Sequence, residues 1–215
     1  MSAAPILGVV DYGMGNRRSV EKALEHVGAR PLVSGEHGAL RRADGLVVPG
    51  VGAFPAAMER LRAGGLDGLI RERAGAGVPV LGICLGMQLL FESSDELGGA
   101  AGLGLLAGTV SGLETGGRRL PHIGWNVVSW RRDSPLTAGL PERCAFYHVH
   151  SFAPRPAHAE DELGTAEYGA PFASVVERGS LFGAQFHPEK SSTHGLALLR
   201  NFARVCAGDA RDLAA

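Results

Sequence analysis

One cysteine, Cys84, lies inside the apolar run VPVLGICLGMQLLF (78–91), with Gly82 and Gly86 two residues to either side. A free cysteine is by default a small buried hydrophobe. The form G-x-C-x-G between a strand pattern and a helix pattern argues otherwise, because it is the form of a nucleophile elbow. The turn is so tight that its neighbours must be glycine. It lifts the residue from the strand end to the start of the next helix, where unpaired N–H groups and the positive helix end favour a thiolate. A thiolate held in that way points to covalent chemistry on an acyl or amide carbon.

Such a nucleophile needs a base and a group that orients the base. GAQFHPEKS (183–191) offers His187 and Glu189 on either side of Pro188. A residue before proline is pushed towards extended backbone, and in extended chain residues two apart point the same way. Glu189 is therefore expected beside the His187 ring, fixing its tautomer and stabilising the imidazolium. Taken alone, the pair reads equally well as a solvated His and Glu at a strand end. The other histidines are His26, His37, His122, His148, His150, His158 and His194, most of them on helices or loops without a matching carboxylate. His148 and His150 alternate on a strand as two metal ligands could. No third ligand stands at suitable spacing, and a catalytic zinc site normally takes three; no metal is expected. Acyl chemistry also needs donors for an oxyanion. VVPGVGAFP (47–55) closes another strand in Pro-Gly-Val-Gly, where Val51 or Gly52 can offer one N–H and Leu85, just after the cysteine, the other.

These residues require a scaffold that gathers strand ends. ILGVVDYG (6–13), GLVVPG (45–50) and VPVLGI (78–83) are apolar runs of the kind buried on both faces in a parallel sheet. Helical spacing follows each of them, over Ser19–Val27, over Pro55–Leu61 with Leu66–Ala74, and over Leu85–Phe91. A short strand is expected near Leu32–Val33. Strand and helix in alternation imply a parallel α/β sheet with right-handed crossovers, whose strand C-termini collect functional residues at one face. The second half reads differently. HIGWNVVSW, CAFYHVHSF, FASVVER and SLFGAQF are strand-like, the last two forming a hairpin around Arg178-Gly179-Ser180. PRPAHAEDE (154–162) reads as a surface loop, and a helix is expected from about Thr193 to Val205. The expected fold is α/β, with a mixed, mostly parallel central sheet and helices on both faces.

Composition narrows the function. The chain has 215 residues, enough for one large domain, and a net charge of −1, which gives no basic surface for nucleic acid. Cys84, Cys144 and Cys206 are too few and too scattered for a disulfide framework or a CxxC metal site. An odd count suits a reducing compartment. MSAAPILGVV has no basic residue ahead of its apolar run and reads as a first strand, not a signal peptide. No apolar stretch approaches 18 residues, so no membrane span is expected. The expectation is a cytoplasmic protein. Lysine occurs only as Lys22 and Lys190, which makes a lysine beside HPE noteworthy.

DYGMGN (11–16), PGVGAF (49–54), GICLGMQLLFESSDE (82–96), PHIGWN (121–126), YHVHSF (147–152) and FHPEKS (186–191) follow in order along nearly the whole chain. On these stretches the chain resembles the class I, or triad, glutamine amidotransferases. Within that class it resembles the glutaminase subunits of imidazole glycerol phosphate synthase. GICLGMQ and HPE mark the class; PGVGAF and GWN favour the member. The resemblance implies a flavodoxin-like amidotransferase domain over residues 1–215. It implies that Cys84, His187 and Glu189 hydrolyse glutamine to glutamate and ammonia through a thioester. Gly50, Gln88, Glu96, Ser151 and Phe152 would hold glutamine, with Glu96 near its α-amino group. Asn16, Trp125, Tyr147 and Lys190 match positions near the interface with a separate cyclase, a β/α barrel. That partner takes ammonia through its core to make imidazole glycerol phosphate and an aminoimidazole carboxamide ribotide. No cofactor is implied, and neither nucleic acid nor membrane. Glycine at 50 permits a peptide flip, so the oxyanion donor is expected to turn inward only when the cyclase holds its ligand. Other readings are a different stand-alone glutaminase, such as that of pyridoxal phosphate synthase, a cysteine hydrolase or redox sensor on the same fold, and a binding module without catalysis.

Overall fold

The structure, a computed structural model, describes residues 3–208. The ends of the domain expected over 1–215, residues 1–2 and 209–215, lie outside the described residues. Four apolar runs make the centre of the molecule: β1 (Ile6–Val10), β3 (Gly45–Gly50), β4 (Val80–Cys84) and β13 (Leu181–Ala184). With β2 (Arg30–Ser34) they form the parallel half of a nine-stranded sheet, in the order β2-β1-β3-β4-β13. The sheet continues antiparallel through β12 (Ala170–Arg178), β11 (Glu162–Tyr168), β8 (His122–Trp130) and β9 (Arg143–His150).

Alternation along the central strands divides the core between the two faces. Leu7, Val9, Val47, Leu81 and Ile83 pack under α1 (Arg17–His26) and α6 (Ser192–Cys206), which contribute Val20, Leu24, Leu198, Leu199 and Phe202. Val10, Leu46, Val48 and Val80 pack on the opposite face under α3 (Phe54–Ala63) and α4 (Leu66–Gly75), which contribute Met58, Leu61, Leu66 and Leu69. Helices therefore cover both faces, as the alternating pattern requires.

Register then assembles the site. Gly50 is opposite Cys84 across β3 and β4, and Ala184 is opposite Ile83 across β13 and β4. The residues just past these three strand ends are Val51–Gly52, Leu85–Gln88 and Gln185–His187.

Some boundaries differ from the sequence reading. The helix expected over Leu85–Phe91 is α5 (Leu85–Leu89), and Phe91 instead opens β5 (Phe91–Ser94). No proline or glycine breaks the chain there. The helix stops because the Leu90 and Phe91 carbonyls take N–H donors from Gly104, Leu105 and Leu106. Those donors lead into β7 (Leu106–Gly112), which pairs with β5 in a second, four-stranded sheet. Its other strands are β6 (Ala100–Ala101) and β10 (Phe152–Pro156). The expected loop 154–162 thus begins inside a strand, with both prolines tolerated on an edge. A five-residue helix, α2 (His37–Arg41), lies between β2 and β3.

Candidate active site

Cys84 ends β4 and starts α5 with φ 54° and ψ −111°. A positive φ is strained for any residue with a side chain, and it turns the thiol out of the strand. The flanking glycines are needed for room. A side chain at Gly86 would overlap the Val48 carbonyl, and one at Gly82 would meet the Gly86 carbonyl and Met87 Cα. The same compression explains Gly50, where an added Cβ would lie 2.8 Å from Gly86 N and from Leu85 Cβ. The elbow is thus pressed against the end of β3, and Pro-Gly-Val-Gly has to pass it.

His187 follows the end of β13 and lines the same cleft as Cys84, whose thiol is 3.8 Å from the Val149 carbonyl. Its Nδ1 is 2.9 Å from Glu189 Oε1, which leaves Nε2 for the sulfur. The pairing agrees with the sequence, but the reason differs. His187 is extended, whereas Pro188–Lys190 forms a single 3-10 turn that swings the carboxylate back under the ring. Burial alone would lower the basicity of His187. The hydrogen bonds and negative charge of Cys84 and Glu189 outweigh it and push the imidazole up to about 9. The Glu189 side chain is fully buried, and its Oε2 has no hydrogen-bond partner, so its charge is directed at the imidazole.

Cys84 and His187 share a cleft of about 320 Å³ with Val51, Gly52, Leu85, Gln88, Glu96, His150, Ser151, Phe152 and Lys190. That volume is at the lower end for small-ligand sites and suits one amino acid. Glu96 Oε2 accepts the Phe54 N–H at 2.7 Å, which anchors the carboxylate and leaves its other oxygen free for a ligand. The Gln88 amide nitrogen donates to the Phe152 carbonyl and to Gln185 Oε1, both at 3.0 Å. Gly50 does not line the cleft. It lies behind the elbow, with the Tyr12 hydroxyl donating to the adjacent Pro49 carbonyl at 2.7 Å. Among the described residues, no group of three or more His, Cys, Asp or Glu is arranged to hold a metal ion.

The expected interface residues gather only in part. Trp125 is 56% exposed and stands edge-on to Tyr147, its neighbour across β8 and β9. Ile123 and Val127 project on the same side as Trp125, an exposed apolar stripe. Lys190 is exposed at the rim of the cleft. Asn16 lies at the start of α1, its carbonyl accepting the Val20 N–H, and the adjacent Gly15 passes close to Pro49.

Three residues to which the sequence reading gave no role support the site. Gln185, fully buried, donates to Cys84 Sγ at 3.8 Å. Ser191 donates to the His187 carbonyl at 2.7 Å and accepts the Tyr147 N–H at 2.9 Å. Tyr12 secures Pro49. Gln185 and Ser191 border HPE and could have been suspected. Tyr12, far away in sequence, stands inside DYGMGN (11–16), which did not show what its hydroxyl would hold.

The glutamine amidotransferase class-I family model matches residues 8–206. Over 199 residues the chain is 49% identical to the imidazole glycerol phosphate synthase subunit HisH of Moorella thermoacetica, covering 93% of this chain and 94% of that one. It is 51% identical over 197 residues to the HisH subunit of Symbiobacterium thermophilum, covering 92% of each. The solved structure of PurLQS from Thermotoga maritima superposes with a TM-score of 0.75 at 20% identity, over 95% of this chain and 99% of that one, and so shares the fold.

Proposed function

The chain belongs to the glutamine amidotransferase class-I family, and on that premise we propose that it is the glutaminase subunit of an imidazole glycerol phosphate synthase. The observation that carries the reading is the Cys84–His187–Glu189 constellation inside a cleft sized for one amino acid. Cys84 attacks the side-chain amide carbon of glutamine. The oxyanion takes N–H donors from Leu85 and from Val51 or Gly52. His187, charged through its contact with Glu189, gives a proton to the departing nitrogen, and ammonia leaves a glutamyl thioester on Cys84. His187 then takes a proton from water, which attacks the thioester and releases glutamate. Glu96 receives the α-ammonium group on its free oxygen, and the Ser151–Phe152 backbone receives the α-carboxylate. Gln88 borders the same pocket, and Gly50 gives the oxyanion strand its room beside the elbow.

Ammonia is mostly protonated in neutral water and is then no nucleophile, so it needs a sheltered route to its acceptor. The partner is a separate cyclase of β/α-barrel fold. It docks on the stripe of Ile123, Trp125 and Val127 with Tyr147, while Lys190 faces a partner carboxylate and Asn16 lies at the margin. A surface tryptophan is a natural anchor for such a contact. We also assign the whole chain, 1–215, to one domain. Among the described residues no helix is long and apolar enough to cross a membrane, and Cys84, Cys144 and Cys206 are all unpaired thiols. Free thiols suit the reducing cytoplasm.

The test is glutamate release by the chain alone, with the cyclase, and with the cyclase and its ribonucleotide. The expected rates rise in that order as the Pro49–Gly52 strand turns its donor inward. Equal rates would remove the coupling, and no glutamate in any of the three would remove the glutaminase reading.

A further inference from the structure

Behind the cleft wall lies a group of polar side chains that the triad does not use. His122, His148 and His150 are all buried, on β8 and β9. His122 stacks on Tyr168 at 4.2 Å and on His148 at 5.1 Å. With uncharged rings, the hydrogen bonds allow only one arrangement of protons. His150 Nδ1 is 2.8 Å from the Phe152 carbonyl, which can only accept, so Nδ1 carries the hydrogen. His150 Nε2 is then bare. It is 3.1 Å from His122 Nδ1, so that nitrogen is the donor. His122 Nε2 is bare in turn and faces the Asn126 amide nitrogen at 3.4 Å. Asn126 also donates to the Glu167 carbonyl at 2.8 Å. His148 is held apart, between the Phe146 carbonyl and the Ser174 hydroxyl. The result is a one-way chain, Asn126 to His122 to His150 to the Phe152 carbonyl. That carbonyl also accepts from Gln88, which passes on to Gln185 and so to Cys84 Sγ.

We propose that His122 and His150 are positioning residues for glutamine: their directed hydrogen bonds fix the Phe152 carbonyl, and through it the Gln88 amide, at the wall of the cleft facing Cys84. The chain requires uncharged rings. Burial supplies them, lowering His122 and, only partly offset by the Phe152 carbonyl, pulling His150 down to about 3. Its head, on the inner side of β8, backs the strand whose outer side carries the apolar stripe. This proposal rests on the glutaminase reading for its kinetic test and stands apart from it in the spectroscopic one.

The kinetic test compares His122→Phe with His122→Asn in the complex with the cyclase. Asparagine returns a donor near the place of Nδ1; phenylalanine keeps only the ring. His122→Phe is expected to raise the glutamine KM about tenfold with kcat within about threefold, the signature of lost ground-state positioning. His122→Asn is expected to recover most of that loss. An unchanged KM in His122→Phe, or equal impairment of both variants, overturns the proposal. The second measurement needs no variant: the 15N shifts of the histidine rings in the unmodified full chain at pH 7. Hydrogen on Nδ1 and a bare Nε2 are expected for both His122 and His150. The opposite tautomer, or a charged ring, overturns the chain. If the unmodified complex releases no glutamate, the functional reading falls, and the ring tautomers still decide this one.

Discussion

His187 and His150 are 4% and 6% exposed and line one cleft, yet burial ends in opposite charge states for them. Burial disfavours an imidazolium in both places. His187 faces Cys84 and a buried carboxylate, contacts that favour its charged form and hold its proton up to about 9. His150 faces a carbonyl and a second imidazole, neither of which carries a negative charge, and it stays neutral down to about 3. The lesson is that the partner decides the role of a buried histidine. An ionic partner holds a buried imidazole charged, and dipolar partners leave it neutral.

The largest effect expected is from removing the sulfur. Cys84→Ala should lower glutamine hydrolysis by about 10⁴-fold or more, since the covalent route is lost. Retained hydrolysis would move the nucleophile elsewhere. Next is Glu189→Gln, which removes the carboxylate that distinguishes the two histidines. It should lower kcat by about 10²-fold or more and shift the alkaline limb of the pH profile. That limb is expected near pH 9 in the unmodified protein, where His187 loses its proton. A limb left in place would show that Glu189 does not hold the charge. Glu96→Ala acts on substrate alone, and should raise the glutamine KM about tenfold with kcat nearly unchanged; a fall in kcat instead would place Glu96 in the chemistry.

The smallest effect is on stability, and its sign differs between the two histidines. His187 is raised above its unfolded value of about 6.5, so its contribution is complete below that pH and is lost as pH rises through 9. His150 is lowered, so the unfolded chain binds a proton there that the folded one refuses. Its contribution is present above about 6.5 and declines as pH falls towards 3. The melting temperature should therefore fall between pH 7 and pH 5, and fall by less in His150→Gln. An equal fall in both would assign the acid sensitivity to other groups.

The placement of Cys84, His187 and Glu189 was legible because they stand in short motifs whose local geometry is stereotyped. The strand ends Gly50, Cys84 and Ala184 were legible as apolar runs closing at one face. Glu189 was correctly paired for an incorrect reason, because extended backbone and a 3-10 turn can both bring i and i+2 together across a proline. What stayed hidden depends on partners distant in the chain. Nothing between Leu89 and Phe91 signals the end of α5, which is set by donors from residues 104–106. Two prolines disguised β10 as a loop. His150 was visible on a strand beside His148 and His122 at the start of a strand-like run, but their pairing depends on the register of β8 against β9, where His122 and His150 are direct neighbours.

The most direct test is covalent capture with a diazoketone analogue of glutamine, followed by peptide mass spectrometry of the full chain in complex with the cyclase. The three cysteines serve as mutual controls. A single adduct on Cys84, prevented by excess glutamine, is the expected result. An adduct on Cys144 or Cys206, or labelling that glutamine does not prevent, would contradict a glutamine site built around Cys84.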